Sequence, residues 1–429
     1  MAAVPTSLTL RMFNVGYGDC FLLTFNYANS VRHMLVDFGS RSAPKRGPKK
    51  DYMLRVAEKI EEICAGKLHI VVATHRHRDH VSGFSTTAQT GKIIAGLNPD
   101  IVIQPWTEDP LAQTKALTAK STSYTRGKAD SRQMTAHFLG ALEDMHGVAD
   151  AAKRMAADES LAGRQMRHQL QLLGDDNLKN ESAVRNLIRM GRKGKAYFVN
   201  AGMKLKILPG VACTVLGPPT LEQSDEIRAL RASDPGEFWQ FRTFWASQNL
   251  AKRPGTGRPL LPKAPATDPP AGVRWFINQS RQIQADQMLG LVRDLDDVMN
   301  NTSVILLLEV GNQKILLPGD AQIENWSYAL SKPEWCKRLA DVNLYKVGHH
   351  GSRNATPKRL WHLFKHAGPA QQADRIATLC STQSGKHGST RSGTEVPRHL
   401  LVQELKENSH FTSSEEAEDS FCNEVTIHF

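Results

Sequence analysis

Between Thr74 and Phe84 the chain reads THRHRDHVSGF. Three imidazoles and a carboxylate, His75, His77, Asp79 and His80, follow one another as H-x-H-x-D-H. Crowded together, such groups repel on protonation, and a bound cation removes that conflict. Imidazole and carboxylate are ordinary ligands of zinc, and also of manganese or iron. The alternating positions put side chains on one side. The closing Asp-His pair reaches a second point, so one motif can serve two metal positions.

Further polar groups follow apolar stretches in the same way. Asp320 closes KILLPGD, where a carboxylate could bridge two cations. His349 and His350 end NLYKVGHHGS, and His387 lies in SGKHGS, beyond the apolar run IATLCST. Other histidines, such as His137, His146 and His168, fall in stretches of helical composition and read as surface or core residues.

These residues need a scaffold. LTLRMFNV (Leu8–Val15), CFLLTFNY (Cys20–Tyr27) and VRHMLVDFG (Val31–Gly39) read as strands joined by tight turns, with Gly16, Gly18 and Asp19 in the first turn. They suggest a hairpin-rich sheet edge. Tyr52–Cys64 carries helical apolar spacing at Leu54, Val56, Ala57, Ile60 and Ile63. LHIVVAT (Leu68–Thr74) is a short branched run typical of a buried strand, and the histidine stretch follows it directly. A helix between strands predicts a layered α/β fold, whose ligand sites favour the carboxyl ends of strands. Further strands are expected at Asp100–Trp106, Lys204–Leu208, Cys213–Pro219, Thr302–Val310, Lys314–Asp320, Asn343–Ser352 and Ile376–Thr382. NESAVRNLIRMGRKGKAYFVNA passes from helix to strand.

A single domain over residues 1–429 accommodates this pattern, with two interruptions. Residues 109–192 read as a largely helical insertion, and residues 222–293 as an irregular Pro/Gly-rich one whose Trp239, Trp245 and Trp275 either pack it onto the body or form a platform for stacking bases. The linker Ser40–Lys50 holds five basic residues and breaks any helix with prolines and a glycine. It reads as a solvated loop or a flexible lip for phosphate.

The formal charge of +11 favours an anionic partner. No run of about 18 apolar residues is present, so no membrane insertion is expected. The N-terminus lacks the pattern of a secretion signal. Six scattered cysteines form no zinc ribbon or disulfide framework, and a reducing cytoplasm is the expected compartment.

THRHRDHVSG resembles the signature of the metallo-β-lactamase fold superfamily. Together with FNVGYGDCFLLTF, MLVDFGS, NNTSVILLLEVGNQKILLPGD and YKVGHHGS, it resembles the branch containing the soluble hydrolase domain of bacterial DNA-uptake (competence) channel proteins. The likeness covers Leu8–Ser85 and Asn300–Gly388. It implies an αββα sandwich and one or two divalent ions, Zn2+ before Mn2+. By the resemblance, His75 and His77 would hold the first ion, Asp79 and His80 the second, and Asp320 would bridge. His350 or its neighbour His349 would complete the second position, with Asp37 and Asp19 in support behind the ligands. Many superfamily members carry a further histidine for the first ion. Here that region reads NNTSVILLLE, leaving Asn301 or Ser303 to face the site and a weaker first position.

The implied chemistry is hydrolysis by a metal-bound hydroxide that Asp79 orients. Lys346, His349 or His387 would contact a phosphate or protonate the leaving oxygen. The basic charge and the resemblance favour a phosphodiesterase or nuclease acting on nucleic acid or a nucleotide. A hydrolase of an ester, lactone, thioester or lactam needs the same nucleophile and is the alternative. An interaction module that keeps its metal for structure alone is the third reading.

Overall fold

A computed structural model of the chain describes residues 3–45, 50–111, 139, 147, 149–157, 164–176, 180–224, 288, 296, 298–354, 356–388, 390, 395–417 and 421–429. The Pro/Gly-rich stretch, its tryptophans and much of the helical insertion therefore lie outside the described residues. So do His137 and His146.

Among the described residues, fourteen strands form two sheets of seven. The first sheet contains β1 (Ser7–Phe13), β2 (Cys20–Tyr27), β3 (Ser30–Phe38), β4 (Ile70–Val72), β5 (Ile101–Pro105), β6 (Lys195–Val199) and β14 (Cys422–His428), in the order β14-β1-β2-β3-β4-β5-β6. The second contains β7 (Lys204–Leu208), β8 (Val211–Gly217), β9 (Ile305–Val310), β10 (Gln313–Leu317), β11 (Leu344–Lys346), β12 (Ala377–Cys380) and β13 (His410–Ser413), in the order β13-β12-β11-β10-β9-β8-β7. Both sheets are mixed. β1, β2 and β3 form an antiparallel meander, and β3 through β6 are parallel. β10 through β13 are likewise parallel. The N-terminal meander is not a sheet edge as its sequence suggests, because β14 pairs with β1 from Ser7↔His428 to Phe13↔Cys422.

Alternation along the strands decides which residues face which layer. Leu8, Leu10, Phe21, Leu23, Met34, Val36, Ile70 and Val72 point between the sheets, where they meet Val215, Leu306, Leu308, Ile315, Leu317 and Leu344. Their neighbours Leu22, Leu35, Val71 and Val102 point outward, under the helices Tyr52–Cys64, Gln89–Gly96 and Glu181–Lys193. On the far side Leu216, Ile305, Leu307, Leu316 and Tyr345 lie under Ile323–Leu330, Pro333–Leu339 and Lys358–Trp361. The layer order is helix, sheet, sheet, helix. Strands covered on both faces must be apolar on both, which is why IVV and ILLL read as continuous runs. Each fully buried Leu or Val there stabilises the fold by roughly 1.5–3 kcal/mol relative to exposure.

The two sheets meet at one end through their loops. Val304 N–H donates to the Thr74 carbonyl at 2.9 Å, tying the start of β9 to the end of β4. Ser381 Oγ, just after β12, donates to the Gly18 carbonyl at 2.5 Å. The carboxyl ends of β3, β4, β10, β11 and β12 therefore surround a common point.

Candidate metal centre

The histidine stretch leaves β4 at Thr74 and turns into a short helix, Arg78–Val81. His75, His77, Asp79 and His80 are each at most 3% exposed. Close backbone packing makes the turn possible. A Cβ on Gly39 would stand 2.4 Å from His80 N, so only glycine fits beneath the loop. Gly319, with φ +57°, stands under Thr74 in the same way, since its Cβ would meet Thr74 Cβ at 2.8 Å.

Four side chains from three strand ends converge. His80 Nε2 lies 2.9 Å from Asp320 Oδ2. His350 Nε2 lies 3.1 Å from Asp79 Oδ2 and 3.5 Å from Asp320 Oδ2. His80 Nε2 is 3.9 Å from Asp79 Oδ1, a buried oxygen with no hydrogen-bond partner among the described residues. Beside them, His75 Nε2 faces His77 Nδ1 at 2.9 Å. His75, His80 and Asp320 form one group within ligand distance, and Asp79, His80 and His350 another. Asp320 thus lies between the His75 and His350 sides.

The other nitrogens of these rings are already committed. His80 Nδ1 is 2.8 Å from Asp37 Oδ2, and His350 Nδ1 is 2.9 Å from the Ser381 carbonyl. Thr74 Oγ1 stands 3.1 Å from His75 Nδ1. Partners of this kind orient a ring so that the opposite nitrogen presents its lone pair. Asp296 Oδ1 lies 3.8 Å from His77 Nε2, beyond hydrogen-bond distance.

The arrangement carries backbone strain. Asp37, His349 and His350 have φ of 56°, 41° and 53°, a left-handed region that costs non-glycine residues on the order of 1–3 kcal/mol each. Asp37 is held there by its carboxylate, which accepts from Thr74 N–H and Thr74 Oγ1 at 2.7 Å each, as well as facing His80.

Electrostatics fit a cation. Asp19, Asp37, Asp79 and Asp320 are buried together, and Asp19 and Asp320 pair with the ammonium of Lys346. Burial pushes Asp79 and Asp320 up, but the charges of His80 and His350 together with further cationic and hydrogen-bonding neighbours outweigh it and hold both well below the usual carboxylate range. Burial would push His80 down, but Asp320 and Asp37 hold it well above the ordinary histidine value. His350 rises to about 10 because Asp320 and Asp19 outweigh its burial. His75, which burial and the His80 charge push the other way, stays well below the usual range. Without metal, protons on His80 and His350 balance the carboxylates, and a divalent ion supplies the same charge without them. The spacing agrees. A tetrahedral ion with bonds of about 2.0–2.1 Å sets its ligand atoms roughly 3.3 Å apart. The buried His/Asp groups can hold a metal ion, and Asp79 Oδ1 and both Asp19 oxygens are buried there without a hydrogen bond among the described residues.

The remaining expected residues are placed as follows. Asp19 sits beneath the cluster, with Oδ1 3.4 Å from His350 Nδ1 and Oδ2 3.7 Å from His80 Nδ1. Ser303 Oγ accepts the Asp320 N–H at 3.2 Å and steadies that carboxylate. Asn301 turns away, donating to Glu324 Oε2 at 3.0 Å and accepting from Asn325 N–H. Of the adjacent pair, His350 joins Asp79 and Asp320, while His349 contributes its backbone N–H to Asp320 Oδ1 at 3.1 Å. The His349 ring keeps a buried Nδ1 without a hydrogen bond among the described residues, as does the His387 ring, which stacks 6.5 Å from Tyr17.

Two expectations need correction. Lys346 is not turned towards a substrate, its ammonium being paired with Asp19 and Asp320. It is 3% exposed, and Asp19 and Asp320 outweigh its burial to hold it above the ordinary lysine value. The Ser40–Lys50 linker is not a flexible lip over its described part. Ser42 Oγ donates to Gln383 at 2.8 Å, Gln383 returns a bond to the Ala43 carbonyl at 3.0 Å, and Lys45 donates to the Ser384 carbonyl. Residues 46–49 lie outside the described residues.

Sequence reasoning missed Asp296 and Ser381. Ser381 acts through a carbonyl, which no side-chain pattern reveals. Asp296 approaches from beyond the irregular stretch, where no periodicity links it to the histidines. Among the described residues no helix is long and apolar enough to cross a membrane. Neither a protein-family model nor a curated protein matches the chain.

Proposed function

We propose that the chain is a metal-dependent hydrolase with the metallo-β-lactamase fold, acting on phosphodiesters such as a nucleic acid or nucleotide. The observation that carries the reading is the convergence of His75, Asp79, His80, Asp320 and His350 on one buried point between two sheets, with His77 against His75 at its side. The helix-sheet-sheet-helix order supports the fold assignment. The charge of +11 supports an anionic substrate. Six free cysteines, four of them buried, support a reducing cytoplasm.

His75 and His77, with one oxygen of Asp320, would hold one ion. Asp79, His80 and His350 would hold a second, with Asp320 shared. When bound, divalent ions lower the pKa of a water and screen charge on a phosphoryl group. The chain's own residues do the rest. Asp79 Oδ1 lies in the cluster as a hydrogen-bond acceptor that can orient the attacking water. Asp37, Thr74 and the Ser381 carbonyl fix the imidazoles. Burial pushes His387 down to about 4, with the Arg41 charge adding to it, and burial also lowers His349. Both rings are therefore neutral near pH 7 and suit a hydrogen bond to a phosphate oxygen better than proton donation.

The test uses protein purified without chelator, with its metal content determined. Cleavage of bis-p-nitrophenyl phosphate is followed beside a matched carboxylic ester, with zinc and with manganese. Diester cleavage that His77→Ala abolishes is the expected result. Ester cleavage alone moves the assignment to acyl hydrolysis, and bound metal without either activity leaves a structural metal.

A further inference from the structure

Lys346 is a buried ammonium at the centre, set among the candidate ligands without being one of them. Its Nζ lies 2.5 Å from Asp19 Oδ2, 2.8 Å from the Gly319 carbonyl and 3.2 Å from Asp320 Oδ1. The Gly319 carbonyl and Asp320 Oδ1 accept hydrogen bonds from the ammonium, and Asp19 Oδ2 faces it as an ion pair. Asp19 and Asp320 are at most 1% exposed, and the Phe21 ring stands 6.0 Å from the ammonium. Three oxygens, two of them charged, on a buried wall make a seat for a small cation.

We infer that Lys346 is a built-in monovalent cation of the metal centre, tethered in an oxygen seat made by Asp19, Asp320 and Gly319. The inference rests on the metal centre proposed above but not on the substrate. Its consequence is positional. Asp320 Oδ1 is taken by Lys346 and by the His349 N–H at 3.1 Å, so only Oδ2 is left facing His80 and His350. The tethered charge therefore sets which oxygen, and how many, Asp320 offers to divalent ions. It also lets Asp19 stay ionised beneath His80 and His350 without competing as a ligand. Lys346 is a positioning residue in this role.

The seat can be emptied and refilled. Lys346→Ala removes the ammonium and leaves room for a small one from solution. The full-length variant is expected to melt roughly 5–10 °C below the parent, because two buried carboxylates lose their counter-charge. Ethylammonium should recover most of that loss with saturation. Tetramethylammonium, too large for the seat, should recover little at equal ionic strength. Lys346→Met, whose chain fills the space without charge, should stay low with either salt. The visible spectrum of the Co2+-loaded protein should change in Lys346→Ala and return with ethylammonium, which reads the Asp320 ligand geometry rather than the fold.

A parent-like melting temperature in Lys346→Ala overturns the inference, and so does equal recovery by both salts. Asp19→Asn on the Lys346→Ala background carries the test if the single variant does not fold. It removes the carboxylate that the ammonium balances, so it should regain stability relative to Lys346→Ala, and a further drop also overturns the inference. If the parent takes up no Co2+, the metal centre itself fails and this inference with it. That outcome differs from a failed rescue in a protein that binds Co2+ normally.

Discussion

His80 Nδ1 and Asp37 Oδ2 lie 2.8 Å apart with neither group exposed, and the same carboxylate holds the Thr74 backbone at the end of β4. One side chain thus orients a candidate ligand and fixes the strand end from which the other candidate ligands depart. Asp37→Asn is the clean probe, because asparagine tolerates the left-handed backbone that Asp37 occupies. The variant should keep its circular dichroism spectrum and lose divalent-ion affinity by roughly 10–100-fold in calorimetric titration. Asp37→Ala adds backbone strain and should also melt earlier. Unchanged affinity in Asp37→Asn would remove Asp37 from any role in orienting His80.

Metal and protons compete for the same nitrogens. Asp320 and its neighbours hold the proton on His80, and His350 stays protonated up to about 10. Filling the centre at pH 7 should therefore release about two protons per chain. Affinity should weaken as pH falls, since protonation opposes binding. Titrations in two buffers of different ionisation enthalpy measure the release. Binding with no proton exchange would mean that the ions sit elsewhere.

The sequence is most readable where one periodicity dominates. Tyr52–Cys64 and Cys20–Tyr27 fall at their expected bounds because helix spacing and turn residues both delimit them. NLYKVGHHGS is less regular than it reads. Only Leu344–Lys346 is strand, since the left-handed His349 and His350 bend the chain into the centre. The meander is not an edge because β14, with only partly buried alternation, returns from the far terminus to cover it. Long-range pairing of that kind leaves no local mark. Side-chain types pointed to the centre, but Lys346, expected to contact a phosphate or protonate the leaving oxygen, is buried against Asp19, over three hundred residues away in the chain.

Acid sensitivity should also arise far from the centre. The His33 N–H donates to His69 Nδ1 at 3.1 Å, a bond that protonation there would break. Burial, with Arg32 adding, pushes His69 from 6.5 down to about 4. The unfolded chain then binds a proton in that window that the folded chain refuses. Stability from this group is complete above about pH 6.5, declines as pH falls towards 4, and changes no further below. His69→Gln should flatten the fall of melting temperature between those values. An unchanged slope would assign the acid sensitivity to other groups.

Arg41 offers the most direct test of substrate charge. Its backbone N–H donates to the Tyr17 carbonyl at 2.8 Å, and its guanidinium carbon lies 5.4 Å from the Tyr17 ring centroid. The same ring packs 4.6 Å from His350 and stacks towards His387. The guanidinium is close enough for its charge to lower both Asp79 and His387. A fixed positive charge beside the cluster should favour an anionic phosphodiester over a neutral ester. Arg41→Gln should raise the diester KM roughly tenfold with little change in kcat, as expected for one charge-assisted hydrogen bond of about 1.5 kcal/mol. Ester cleavage, where present, should be unaffected, and Arg41→Lys should keep part of the preference. The parent KM for the diester should rise with ionic strength, and that of Arg41→Gln should rise less. Equal losses on charged and neutral substrates would show that Arg41 supports the Tyr17 loop rather than recognising an anion.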